Sequence, residues 1–177
     1  MGKITDWKEL GCESGKIAPI FRSDGSGTTA GFTNSLSSFS SEWKEKIGTA
    51  KAVSWPVGVG SKGNAGVAGS IRTTLGSIGY VNQSYVKGEI RAATLQNKNG
   101  DFVTPSVESG SLALNGITLD ENLAGTDPNP TAEGAYPIAT LTWVLAYETG
   151  NGRKTEAVKE TLSKLLSTEY QLSLIHI

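Results

Sequence analysis

A turn built almost wholly of small polar residues, Ser23–Thr29, lies between an apolar run, Lys16–Phe21, and a stretch with helical rhythm. Few folds accommodate that order. The apolar run suits a strand. Phe32, Leu36, Phe39, Trp43 and Ile47, spaced four, three, four and four apart, mark one face of a helix. Serines at 37, 38, 40 and 41 compete for backbone hydrogen bonds and can divide that helix in two, and Gly48 suits its end.

The same alternation continues along the chain. Val53–Val57 reads as extended, and a second glycine-rich stretch, Gly58–Asn64, leads into a helix over Ala65–Ile71. Ser77–Val81 reads as a buried strand whose Gly76 and Gly79 permit close backbone approach. Asn97–Gly100 is a turn between Ala92–Gln96 and Asp101–Thr104, a hairpin, and Pro105 opens a short helix to about Leu114. Tyr136–Tyr147 predicts an apolar strand or strand pair. Gly150-Asn-Gly152 breaks the chain before a helix over Lys154–Tyr170, with Val158, Leu162, Leu165 and Leu166 on one face. Strands alternating with helices give an α/β class.

The turn carries the chemistry. The first amides of a helix point outward without partners, and the helix dipole adds positive potential there, so a tetrahedral oxyanion is welcome. Gly25 and Gly27 let the backbone come close and are expected to adopt positive φ, Ser26 and Thr28 add hydroxyl donors, and Arg22 adds a two-pronged cation that Asp24 can hold in place. A plain strand-to-helix turn capped by Asp or Ser explains the same spacing equally well. A nucleotide P-loop does not, because Gly27-Thr-Thr supplies no lysine. Nor does a Gly-x-Ser-x-Gly nucleophile elbow, because Asp24 and Thr28 stand two residues either side of Ser26.

Composition removes further classes. The net charge is −1, with 16 basic and 17 acidic residues, and no basic cluster marks a nucleic-acid footprint. A single cysteine, Cys12, excludes an internal disulfide or a Cys-rich zinc site, and a single histidine, His176, argues against Ser-His-Asp chemistry. The longest apolar stretch, Leu141–Tyr147, is far short of the roughly 18 residues a spanning helix needs, and no signal peptide is visible at the start.

Arg22–Thr29, followed by Phe32-Thr33 and Glu42-Trp-Lys, resembles the PstS-like phosphate-binding proteins of ABC-type phosphate transporters, within the periplasmic binding proteins. The likeness runs on through Val53–Gly60, Lys62–Val67 and Gly76–Val81, takes in Gly2–Trp7 and Ala135–Ile138, and reaches about Gln171. It implies a type II-like lobe, a mixed sheet flanked by helices, plus part of a second lobe. Residues 1–136 would be most of the phosphate-contacting lobe, and 137–171 the return strand and helix toward the other. By the same resemblance Arg22, Ser26, Gly27 and Thr28 contact inorganic phosphate, and Asp24 pairs with Arg22. It implies no catalytic step, no metal and no cofactor. It implies phosphate and membrane permease subunits as partners, a periplasmic or extracytoplasmic setting and a monomeric parent.

The sequence departs from that family at both ends. The family's N-terminal portion, with its signal peptide, most of the first lobe and a proton-accepting carboxylate, has no counterpart. Leu172–Ile177 does not resemble the family and is expected to be a foreign tail. Arg22–Thr28 is then half a clamp. Two other readings stay open: a surface scaffold with a vestigial anion site, and a phosphatase using Ser26. Trp7, Trp43, Trp55 and Trp143 are expected to pack in the core and Cys12 to be semi-buried. Lys62 reads as a solvated turn residue, Asp120, Glu121 and Asp127 lack the rhythm of a calcium loop, and Glu156, Lys159, Glu160 and Lys164 form a wet helix face.

Overall fold

The computed structural model describes residues 3–165 and 167. A three-stranded parallel sheet in the order β2-β1-β3 carries the first half of the chain. Its strands are β1 (Ala18–Arg22), β2 (Val59–Ser61) and β3 (Ser77–Gly79). Ile20 pairs with Val59 on one side and with Gly79 on the other, and Arg22 lies opposite Ser61. Parallel neighbours require crossovers, and helices supply them. α1 (Gly27–Phe39) and α2 (Ser41–Lys46) lead from β1 to β2, and α3 (Gly63–Thr73) leads from β2 to β3. The serine cluster does divide the first helix. Ser40 stands in an extended conformation and caps α2 by accepting the Trp43 amide, and Gly48 ends it with a φ of 75°.

α3 lies on the sheet and buries Val67 and Ala68 beside Ile20. Gly79 is needed for that approach, since a Cβ there would stand 2.7 Å from the Ile20 carbonyl and 3.0 Å from the Ile71 side chain. Aromatic rings stack beneath the β1–α1 turn. Phe21 lies 5.1 Å from Trp55, Phe32 lies 4.4 Å from Tyr80, and Trp55 lies 5.7 Å from Tyr80. The Trp55 Nε1 is buried without a partner, the polar cost of placing an indole inside an apolar stack.

The second half is looser. The antiparallel hairpin β4 (Leu95–Gln96) and β5 (Phe102–Val103) closes through Asn97, whose side chain accepts the Asn99 and Asp101 amides. α4 (Val107–Asn115) begins at a capping box in which Ser106 and Ser109 bond each other's amides. α5 (Thr155–Leu165) buries none of its residues fully. Burial of Tyr136, which seals this half together with Ala113 and Ala135, pushes its hydroxyl up to about 12.

Several expectations change. Tyr136–Tyr147 forms no strand: Val144, Leu145 and Tyr147 are 63 %, 93 % and 83 % exposed. An apolar run becomes a strand only where a neighbour accepts its backbone hydrogen bonds, and no described strand adjoins this one. Trp143 is exposed rather than packed, its Nε1 donating to the Leu123 carbonyl. Cys12 is exposed, because it follows a short 3-10 turn (Trp7–Leu10) that buries nothing. Ile78 in β3 is also exposed. Val53–Val57 carries no strand, and pairing begins instead at Val59. Of the helix expected to reach Tyr170, residue 167 is a bend, and residues 166 and 168–170, like the tail 172–177 with His176, lie outside the described residues.

Candidate functional site

β1 ends at Arg22 and the chain turns through Ser23–Gly25 into Ser26, the N-cap of α1. Ser26 is 5 % exposed and extended, and its Oγ accepts the Thr28 amide at 3.1 Å and the Thr29 amide at 3.3 Å. A hydroxyl has two acceptor positions and one hydrogen. Both acceptor positions are used, so the hydroxyl keeps only its hydrogen to donate. The Ser26 amide is spent on the Lys51 carbonyl at 2.8 Å. Gly27, the first residue of α1, keeps an amide for which the helix offers no acceptor. The cap therefore consumes the Thr28 and Thr29 amides and leaves the Gly27 amide over, and neither Gly25 nor Gly27 takes the positive φ expected of them, because the turn enters α1 through ordinary backbone.

Arg22 is held beside it. Its Nε donates to Asp24 Oδ1 at 2.8 Å and its Nη2 to Asp24 Oδ2 at 2.6 Å, a two-pronged pair with the Arg22 side chain only 10 % exposed. The Arg22 guanidinium holds the Asp24 carboxyl well below the usual carboxylate range, with help from the Gly63 amide at 2.9 Å. The carboxylate in turn raises the Arg22 value. Nη1 donates to Asn64 Oδ1 at 3.1 Å. Three of the five guanidinium N–H groups are thus occupied, and one remains on each terminal nitrogen.

The end of β3 braces the same turn. The Tyr80 hydroxyl accepts the Arg22 amide at 3.1 Å and lies 2.7 Å from Thr29 Oγ1. Two residues on, Asn82 Oδ1 accepts the Thr28 hydroxyl at 3.0 Å.

The five residues singled out in the sequence occupy one loop: Arg22 and Asp24 as a locked pair, Ser26, Gly27 and Thr28 at the opening turn of α1. Gly63, Asn64, Tyr80 and Asn82 were missed. Asn64 ends the second glycine-rich stretch and Tyr80 lies in the Gly76–Val81 block, which were the available signals, whereas Asn82 carried none. Lys62 is exposed at the start of α3, as expected of a turn lysine. Among the described residues no cluster of three or more His, Cys, Asp or Glu could hold a metal ion, and no helix is long and apolar enough to cross a membrane.

The family model described as a PBP superfamily domain matches residues 1–167. A protein named phosphate-binding protein PstS from Xylella fastidiosa (strain Temecula1) is 42% identical over 159 residues, covering 82% of this chain and 43% of the relative. Its namesake from Haemophilus influenzae is 40% identical over 158 residues, covering 82% of the chain and 47% of the relative. That from Methanocaldococcus jannaschii is 36% identical over 177 residues, covering 86% and 44%. The chain spans less than half the length of these relatives.

Proposed function

The chain belongs to the PBP superfamily, and from that premise we propose that it forms the phosphate-gripping lobe of a substrate-binding protein serving an ABC phosphate importer. One observation carries the proposal: beside the opening turn of α1, Asp24 and Asn64 together hold the Arg22 guanidinium and leave one N–H on each terminal nitrogen. Arg22, the Ser26 hydroxyl and the Gly27 amide are the donors to phosphate. Thr28 joins them by exchanging Asn82 for a phosphate oxygen.

The chemistry is capture without turnover. A phosphatase would need the Ser26 oxygen as nucleophile, yet that oxygen already accepts two amides. In this reading residues 1–136 are most of one lobe, and 137–171 lead toward another. The exposed Val144, Leu145 and Tyr147 support it, since contiguous apolar surface marks a contact face. The phosphate then passes to permease subunits outside the cytoplasm, delivered by a monomeric receptor.

Half a clamp binds weakly, because a dianion with some oxygens unpaired forfeits solvation it does not regain. Titrating the ¹⁵N-labelled chain with inorganic phosphate is expected to shift the Gly27 and Thr28 amides saturably in the millimolar range, and Arg22→Ala to abolish the shift. A chimera joining this chain to the part of the Xylella relative that it does not span is expected to bind phosphate tightly by calorimetry. A folded chimera that ignores phosphate, together with amides that do not move, would overturn the reading.

A further inference from the structure

The second glycine-rich stretch, residues 58–64, is no part of the anion site drawn from the sequence, yet it closes on that site's charged pair. β2 runs parallel to β1 with Ser61 opposite Arg22, and the Ser23 amide donates to the Ser61 carbonyl at 3.1 Å. This register carries Lys62–Asn64 alongside the turn that follows β1. Gly63, at a φ of 68°, aims its amide at Asp24 Oδ1 at 2.9 Å. The next residue places Oδ1 of its side chain 3.1 Å from Arg22 Nη1. We propose that Asn64 is a positioning residue for Arg22, tying the guanidinium to α3 so that its two remaining N–H groups hold one direction.

The physical need is specific. Asp24 grips Arg22 along one edge, but Asp24 itself stands on the exposed turn Ser23–Gly25, its side chain 34 % exposed. Arg22 and Asp24 could swing together as a unit. α3 cannot, since Val67 and Ala68 bury it against the sheet at 0 % and 1 % exposure. Bonds from Gly63 and Asn64 anchor both members of the pair to that rigid helix. The acceptor is also neutral. A carboxylate in its place would hold the guanidinium as well but would repel an incoming anion, so an amide carbonyl orients the cation without cancelling it.

The phosphate arm of the test rests on the function proposed above, and the orientation arm does not. In phosphate-free buffer, ¹⁵N NMR of the 177-residue chain is expected to show the Arg22 Nη hydrogens slowed into separate signals. Asn64→Leu and Asn64→Ala are expected to average the Nη1 signals while leaving the melting temperature and the remaining amides nearly unchanged. Asn64→Asp is expected to keep them separate. Phosphate affinity is then expected to fall about tenfold in Asn64→Leu, as loss of one bond to a charged group allows, and to fall in Asn64→Asp despite the ordered guanidinium. Signals equally well separated in Asn64→Leu and wild type, or averaged in Asn64→Asp, would overturn the positioning role. Should Asn64→Leu loosen Arg22 while the wild-type amides ignore phosphate, the positioning role stands and the phosphate reading falls.

Discussion

The Tyr80 hydroxyl lies 2.7 Å from Thr29 Oγ1 and also accepts the Arg22 amide, so one phenol joins the end of β1 to the start of α1. Tyr80 is 9 % exposed and Thr29 fully buried, leaving water little access to replace either bond. Tyr80→Phe keeps the ring stack on Phe32 and deletes only the oxygen. We expect it to cost about 1–3 kcal/mol, the range for stranding buried polar partners. Urea unfolding checks this: the midpoint should fall with the slope unchanged, and an unmoved midpoint would show the phenol to be idle.

Asp24 should remain a carboxylate in acid that protonates ordinary side chains. Arg22 first, and the Gly63 amide second, depress its folded value below the ordinary 3.8. The unfolded chain therefore binds the proton more readily than the folded one. The stability from Asp24 is whole above about pH 5 and is lost as pH falls through the depressed folded value. Carboxyl ¹³C shifts should show Asp24 titrating below the ordinary aspartate value of 3.8. The stability gap between wild type and Asp24→Asn should shrink in the same acid range, and a gap that persists there would refute the pairing.

Ser26 caps α1 and, in the function proposed above, also donates to phosphate, and two substitutions separate these roles. Ser26→Ala should cost about 1 kcal/mol of stability through loss of the cap and weaken phosphate as well. Ser26→Asp preserves a capping oxygen but places a negative charge where the proposed site would take the anion. Thermal melts should show Ser26→Asp near wild type, and phosphate titration should show it the weaker binder of the two.

Gly79→Ala should destabilise the parallel sheet by about 1–3 kcal/mol, the usual cost of forcing atoms into a packed core. The added Cβ would meet the Ile20 carbonyl at 2.7 Å and the Val67 side chain at 3.3 Å. Calorimetric melting would reveal the loss. Gly25→Ala is the control, since nothing lies within 4 Å of a Cβ there.

Short-range chemistry was legible in the chain before any coordinates. The strand before Arg22, the Ser26 cap, the helix divided at Ser40 and the Asn97 turn each depend on residues within four positions of one another, where spacing alone sets the bond. The Arg22–Asp24 pair belongs to that class, being two residues apart. Asn64 on Arg22 and Tyr80 on Thr29 do not, at separations of 42 and 51 residues. Those partners were assigned by strand order and register, because β2 and β3 flank β1 and deliver their following residues to its carboxyl end. Tyr136–Tyr147 shows the converse: hydrophobicity and β-propensity mark a segment that wants burial, but only a neighbour with matching hydrogen bonds turns it into a strand.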